Sequence, residues 1–119
     1  MTNEVFIVSG ARTPIGSFMG NLSSFSAPEL AAAAIQKAID TSSIEADQID
    51  EVLIGNVVSA GLKQAPARQA MRLAGIPDRC GATTINKVCG SGMKATMLAF
   101  DLIRSGSADT VLSGGMESM

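Results

Sequence analysis

Short β-branched apolar runs alternate along this chain with longer stretches of helical periodicity. The first run, Val5-Phe6-Ile7-Val8, stops at Ser9-Gly10 and has the profile of a strand buried on both faces. A loop containing Arg12-Thr13-Pro14-Ile15-Gly16 follows. Ser26-Ala27-Pro28-Glu29 then reads as a helix start, with a Ser N-cap, Pro in the first turn and a Glu that completes a capping box. Leu30, Ala34, Ile35, Ala38 and Ile39 carry that helix to Thr41-Ser42-Ser43. Val52 to Val58 predicts a second strand. Pro66 opens a second helix, bearing Arg68, Met71 and Leu73, that stops at Gly75-Ile76-Pro77. Thr83 to Val88 predicts a third strand and Met93 to Ile103 a third helix, closed by Gly106. Thr110 to Ser113 predicts a fourth strand, ending at Gly114-Gly115. The order β-α-β-α-β-α-β predicts an α/β domain over residues 1–119, with a mostly parallel sheet and right-handed crossovers.

Two features of the pattern call for additional structure. Met93, Ala95, Met97, Leu98, Ala99, Phe100, Leu102 and Ile103 wrap nearly all round the third helix, leaving a narrow polar stripe at Lys94, Asp101 and Arg104. An all-round apolar helix is a buried one, so it is expected to be sandwiched and covered by a further domain or chain. A four-stranded parallel sheet ending near Met119 would also leave an open apolar edge.

Composition narrows the classes. Apolar residues make up 46% of the 119, aromatics only 3%, and there are twelve glycines but no Trp or Tyr. A packed core of Ala, Ile, Leu, Val and Met is therefore expected, and disorder is not. The net charge of −2 comes without a basic run, and stacking aromatics are scarce, so nucleic-acid binding has no support. No stretch has the make-up of a signal peptide or the length of a membrane span. Two cysteines, Cys80 and Cys89, make no disulfide framework and no metal-ligand spacing, so no metal is expected and a reducing, cytoplasmic setting is the default.

Cys89 carries the chemistry. It lies where the third strand meets the turn Gly90-Ser91-Gly92, at the start of the third helix. A thiol there sits at the positive end of a helix dipole, which favours the thiolate. Gly90 and Gly92 leave room for a substrate to reach the sulfur and the adjacent backbone N–H groups. The bland alternative is a small buried hydrophobe. A rival reading takes Gly90-Ser91-Gly92-Met93-Lys94-Ala95 as a dinucleotide-binding G-x-G-x-x-A turn with Glu117 as its distant carboxylate, but it follows the third strand instead of the first. Cys80, in a loop, Arg12, Gln64 and Arg68 read as structural. Asn86, a polar amide late in a buried strand, is expected to brace a neighbouring loop or subunit. The chain has no histidine, so it cannot complete a Cys–His pair by itself.

Asn86-Lys87-Val88-Cys89-Gly90-Ser91-Gly92-Met93-Lys94-Ala95 resembles the nucleophile motif of thiolases. Arg12-Thr13-Pro14-Ile15-Gly16, Gln64-Ala65-Pro66-Ala67-Arg68-Gln69 and Gly114-Gly115-Met116-Glu117-Ser118-Met119 look like thiolase motifs too, in family order and spacing. Thr83-Thr84-Ile85 and Met93-Lys94 look like the acetoacetyl-CoA thiolases, or acetyl-CoA acetyltransferases; Thr96 replaces a usual aliphatic residue, a matter of packing. The resemblance implies a thiolase-like fold, here most of the first of two similar halves. It also implies that Cys89 accepts an acyl group from acyl-CoA, with its own N–H in the oxyanion hole. The product of two acetyl-CoA is then acetoacetyl-CoA, or thiolysis runs in reverse. A longer-chain 3-ketoacyl-CoA thiolase and a non-catalytic assembly subunit are the alternatives. The family's histidine, its second cysteine acting as base, its water-ordering asparagine and its CoA-binding loop domain have no counterpart here, and Cys80 does not match the base. The expectation is therefore a segment inactive alone, partnered by the remainder of a thiolase polypeptide or a complementary subunit. No cofactor beyond coenzyme A as substrate is expected, and the complete protein is expected to be a homo-oligomer, a dimer or tetramer.

Overall fold

The computed structural model describes residues 3–119. Three helices and three strands follow in order: α1 (Ala27–Thr41), β1 (Glu51–Gly55), α2 (Pro66–Leu73), β2 (Gly81–Ile85), α3 (Ser91–Arg104) and β3 (Val111–Gly115), with a single 3-10 turn at Ala46–Gln48. The sheet order is β2-β1-β3 and both pairings are parallel. Glu51 faces Gly81 and Val111 at one end of β1, and Gly55 faces Ile85 and Gly115 at the other.

Topology dictates the layers. The β1-α2-β2 unit steps one way along the sheet, and β2-α3-β3 steps back across β1. Right-handed connections in opposite directions put their helices on opposite faces. The side chains of β1 alternate accordingly. Val52 and Ile54 pack with Ile35 of α1, Met71 of α2 and Ile76, whereas Leu53 packs with Ala95 and Ala99 of α3. Met71 has no solvent exposure, and burying such a side chain contributes roughly 1.5–3 kcal/mol.

Local signals set the helix ends. Ser26 Oγ accepts from Glu29 N at 3.3 Å, and the Glu29 carboxylate accepts from Ser26 N at 3.0 Å, forming the capping box. These bonds, the backbone one foremost, hold the Glu29 carboxyl below its ordinary pKa. Thr84 Oγ1, on β2, accepts from Ala67 N at 2.9 Å and so satisfies a donor in the first turn of α2. Gly75 closes α2 with φ +87°, and Ile76 N donates back to Met71 O at 3.1 Å. Thr96 of α3 shares a 3.0 Å hydrogen bond with Ser113 of β3.

One expectation is corrected. Val5 to Val8 joins no ladder, and Phe6, Ile7 and Val8 are exposed. The segment is instead fastened beside the ends of two helices: Ser9 Oγ donates to Ala38 O at 2.7 Å and Asn3 Nδ2 to Ile103 O at 3.1 Å. An apolar β-branched run favours a strand only where another strand offers its backbone, and neither β2 nor β3 does so. Helix α3 is covered on one face only, so the cover expected on its other side is not supplied by the described residues. Ala95 and Ala99 are buried against the sheet, whereas Met93, Met97 and Phe100 stay exposed because no described element lies over them. The alternation, the parallel sheet and the flanking helices stand as expected. The strands are shorter than the apolar runs, since β1 ends at Gly55 and β2 at Ile85.

Candidate active site

The C-terminal ends of β1 and β2 are adjacent, and the helices that follow them leave on opposite faces, which makes a crevice at that sheet edge. Cys89 occupies the connection out of β2 and is exposed there. It sits on a tight bend. Val88 has φ +49°, a left-handed conformation that costs a β-branched residue about 1–3 kcal/mol. Three side-chain bonds hold it. Val88 N donates to Asn86 Oδ1 at 3.0 Å, Lys87 N donates to Ser91 Oγ at 2.7 Å, and Ser91 Oγ donates to Val88 O at 2.6 Å. Ser91 is buried, so its hydroxyl is committed to the bend. Asn86 thus braces its own turn. Gly90 N and Ser91 N donate to Lys87 O and Val88 O, while the Cys89 N–H has no hydrogen-bond partner among the described residues.

Around the thiol lies an open cleft of about 440 Å³. Val57 and Val58 follow β1 on one side, Val88 and Gly92 flank the sulfur, and Met116, Glu117 and Met119 follow β3. Of the two glycines singled out in the sequence, Gly92 lines the cleft and Gly90 does not. The tightest glycine is another one. A Cβ on Gly55 would lie 2.5 Å from the Ser91 carbonyl carbon and 2.7 Å from Gly92 N. Bare backbone at Gly55 is what lets α3 start directly over the end of β1.

Asn56 was not singled out from the sequence, and Glu117 entered only as the carboxylate of the rival dinucleotide reading and as part of a thiolase-like motif. Asn56 is almost fully buried; its N–H donates to Ile85 O at 2.9 Å and its Nδ2 to Met116 O at 3.2 Å and Glu117 Oε1 at 3.0 Å. Its Oδ1 is buried without a hydrogen-bond partner among the described residues. Glu117 Oε1 also accepts from Val58 N at 2.7 Å, and Oε2 from Val57 N at 3.1 Å. A carboxylate so occupied is not presented to a ribose, which removes the dinucleotide reading. The one available signal was Asn56 itself, a polar amide set between apolar residues at the end of β1.

The other candidates are structural. Arg68 donates to Cys80 O at 3.1 Å and Asp78 O at 3.0 Å, fastening α2 to the loop before β2. Gln64 gives its carbonyl to Gln69 Nε2 at 2.7 Å. Arg12 is exposed in the loop before α1. Cys80 is buried, and burial pushes its thiol pKa up. No group of His, Cys, Asp and Glu among the described residues is arranged to hold a metal.

The decisive comparison is with protein families. Residues 5–119 match the model of the thiolase N-terminal domain. This chain belongs to that family. As a thiolase N-terminal domain it is 54% identical to the mitochondrial acetyl-CoA acetyltransferase of Danio rerio, over 98% of this chain and 28% of that protein. It is 51% identical to the cytosolic acetyl-CoA acetyltransferase of Gibberella zeae, over 97% of this chain and 29% of that protein. The acetyl-CoA acetyltransferase of Cupriavidus necator is 49% identical over 98% of this chain and 30% of its own length. The thiolase domain thus spans under a third of these curated relatives. Their names include mitochondrial and cytosolic forms, so kinship does not fix a compartment. No described helix is long and apolar enough to cross a membrane.

Proposed function

We propose that this chain is the nucleophile-bearing segment of an acetyl-CoA acetyltransferase and that Cys89 forms its acyl-enzyme. The observation that carries the reading is an exposed thiol on a braced bend at the sheet edge of a thiolase domain. The Cys89 sulfur attacks the thioester carbonyl of acetyl-CoA; a carbon–sulfur bond forms, the bond to CoA breaks, and CoA leaves as the thiol after taking up a proton. The free Cys89 N–H is a donor for the oxyanion that develops on the way. A second acetyl-CoA then loses a proton from its methyl carbon. The resulting carbanion attacks the acyl-enzyme and expels the Cys89 thiolate, giving acetoacetyl-CoA. The electrons balance without an oxidant, so the proposal includes no cofactor besides coenzyme A as substrate.

With no histidine in the chain and Cys80 buried, the bases for these proton transfers come from residues outside the 119, in the remainder of a thiolase polypeptide or a complementary subunit. A homo-oligomer and a cytoplasmic setting belong to the same proposal. The exposed Met93, Met97 and Phe100 on α3 support a covering partner. The test is thiolysis of acetoacetyl-CoA and of longer 3-ketoacyl-CoAs by the protein that contains this chain, with Cys89→Ala alongside. Turnover of the short substrate, lost in the variant, is expected. Undiminished turnover in Cys89→Ala would refute the role, and preference for long chains would move the reading to a longer-chain thiolase.

A further inference from the structure

Glu117 lines the Cys89 cleft, yet both its oxygens are engaged away from any ligand. Its bonds run to one place, the three consecutive residues Asn56, Val57 and Val58. Val58 N donates at 2.7 Å, Val57 N at 3.1 Å, and Asn56 Nδ2 at 3.0 Å. Charge-assisted bonds of this kind are about twice as strong as neutral ones. No Lys or Arg among the described residues lies within ion-pair distance of Glu117, so its protein partners are these N–H donors. Val57 and Val58 have left the sheet at Gly55 and have no ladder to hold them. Among the described residues Glu117 is the one hydrogen-bond partner of the Val57 and Val58 N–H groups.

We propose that Glu117 is a positioning residue that sets the width of the acyl end of the Cys89 cleft by tying the Val57-Val58 segment to the end of β3. The inference rests on the proposed acyl transfer and deepens it to substrate size. Val57 and Val58 line the same cleft as Cys89 and their side chains offer an alkyl group nothing polar to bind, so they act on it by shape alone. A fixed wall favours a short acyl group. A released wall admits a longer one. Asn56 supports the tie, joining Ile85 of β2 and Met116 beyond β3.

The test is Glu117→Gln in the complete protein, reading kcat/KM for acylation by acetyl-CoA and by butyryl-CoA. The glutamine keeps the shape but sets an N–H group against the backbone donors. The ratio of acetyl to butyryl kcat/KM is expected to fall about tenfold, the scale at which apolar pockets discriminate small alkyl differences. General loss of fold lowers both values and leaves their ratio unchanged. An unchanged ratio with normal wild-type acylation overturns the role of Glu117 alone. A wild-type protein that no acyl-CoA acylates overturns the acyl-transfer reading and this inference with it. Should the variant not fold, amide hydrogen exchange on the wild type decides: Val57 and Val58 protected like β1 is the expected result, and exchange at loop rates overturns the proposal.

Discussion

Burial separates the two thiols of this chain. Cys80 is closed off, with its Sγ 3.4 Å from Gly81 O and its pKa raised by desolvation, whereas Cys89 is exposed. Alkylation at neutral pH is therefore expected to modify Cys89 well before Cys80, as peptide mapping after a short iodoacetamide pulse would record. Prior labelling of Cys80 would contradict the geometry. Ser91 gives a second expectation. Removing its hydroxyl in Ser91→Ala leaves the Lys87 N–H without its partner, so stability should fall by about 1–3 kcal/mol in urea unfolding. Acylation of Cys89 should slow as well, because the strained Val88 bend loses its brace. Cys89 was legible in the sequence because its signal is local: a strand, a cysteine and a glycine turn in succession. The tie made by Glu117 was not, since its partners are Asn56, Val57 and Val58, about sixty positions earlier, and no short-range pattern reports such a pairing.

At the scale of elements, the close approach of α3 to β1 turns on one glycine. Gly55→Ala sets a methyl group against the Ser91 and Gly92 backbone and should destabilise by at least about 1–3 kcal/mol. Gly90→Ala meets only Lys87 O at 3.5 Å and should leave the unfolding midpoint nearly unchanged. Calorimetry of the pair checks the contrast. Asp50 joins the starts of β1 and β3. Its carboxylate accepts from Asp109 N at 2.8 Å and Thr110 N at 3.0 Å, bonds that lower its pKa, with a smaller contribution from Arg79. A lowered folded pKa stabilises above the unfolded value of about 4, and that stability is lost as the pH falls through the folded value. Asp50→Asn should thus lower Tm at neutral pH, with the gap to wild type closing in acid; a gap constant with pH would exclude the charge as its source. The helices were well legible, since the Ser26 capping box and the Gly75 stop are written in adjacent residues. The strand expected at Val5 to Val8 was not realised, because hydrophobicity states a need for burial without naming the partner.

The whole molecule is a three-layer sandwich with one face unfinished. Met71 and the residues around it fill the side under α1 and α2, while α3 turns Met93, Met97 and Phe100 outward. The apolar surround of α3 announced burial on every side. The described residues supply half of it. Acceptance of the acyl group by Cys89 is the proposed step on which the others depend. Acetyl-CoA mixed with the complete protein and quenched in acid, followed by mass spectrometry of its peptides, tests that step most directly. An acetyl group is expected on the peptide carrying Cys89 and none on that peptide in Cys89→Ala. Acetylation elsewhere with Cys89 unmodified, or none at all while acetyl-CoA is turned over, would contradict it.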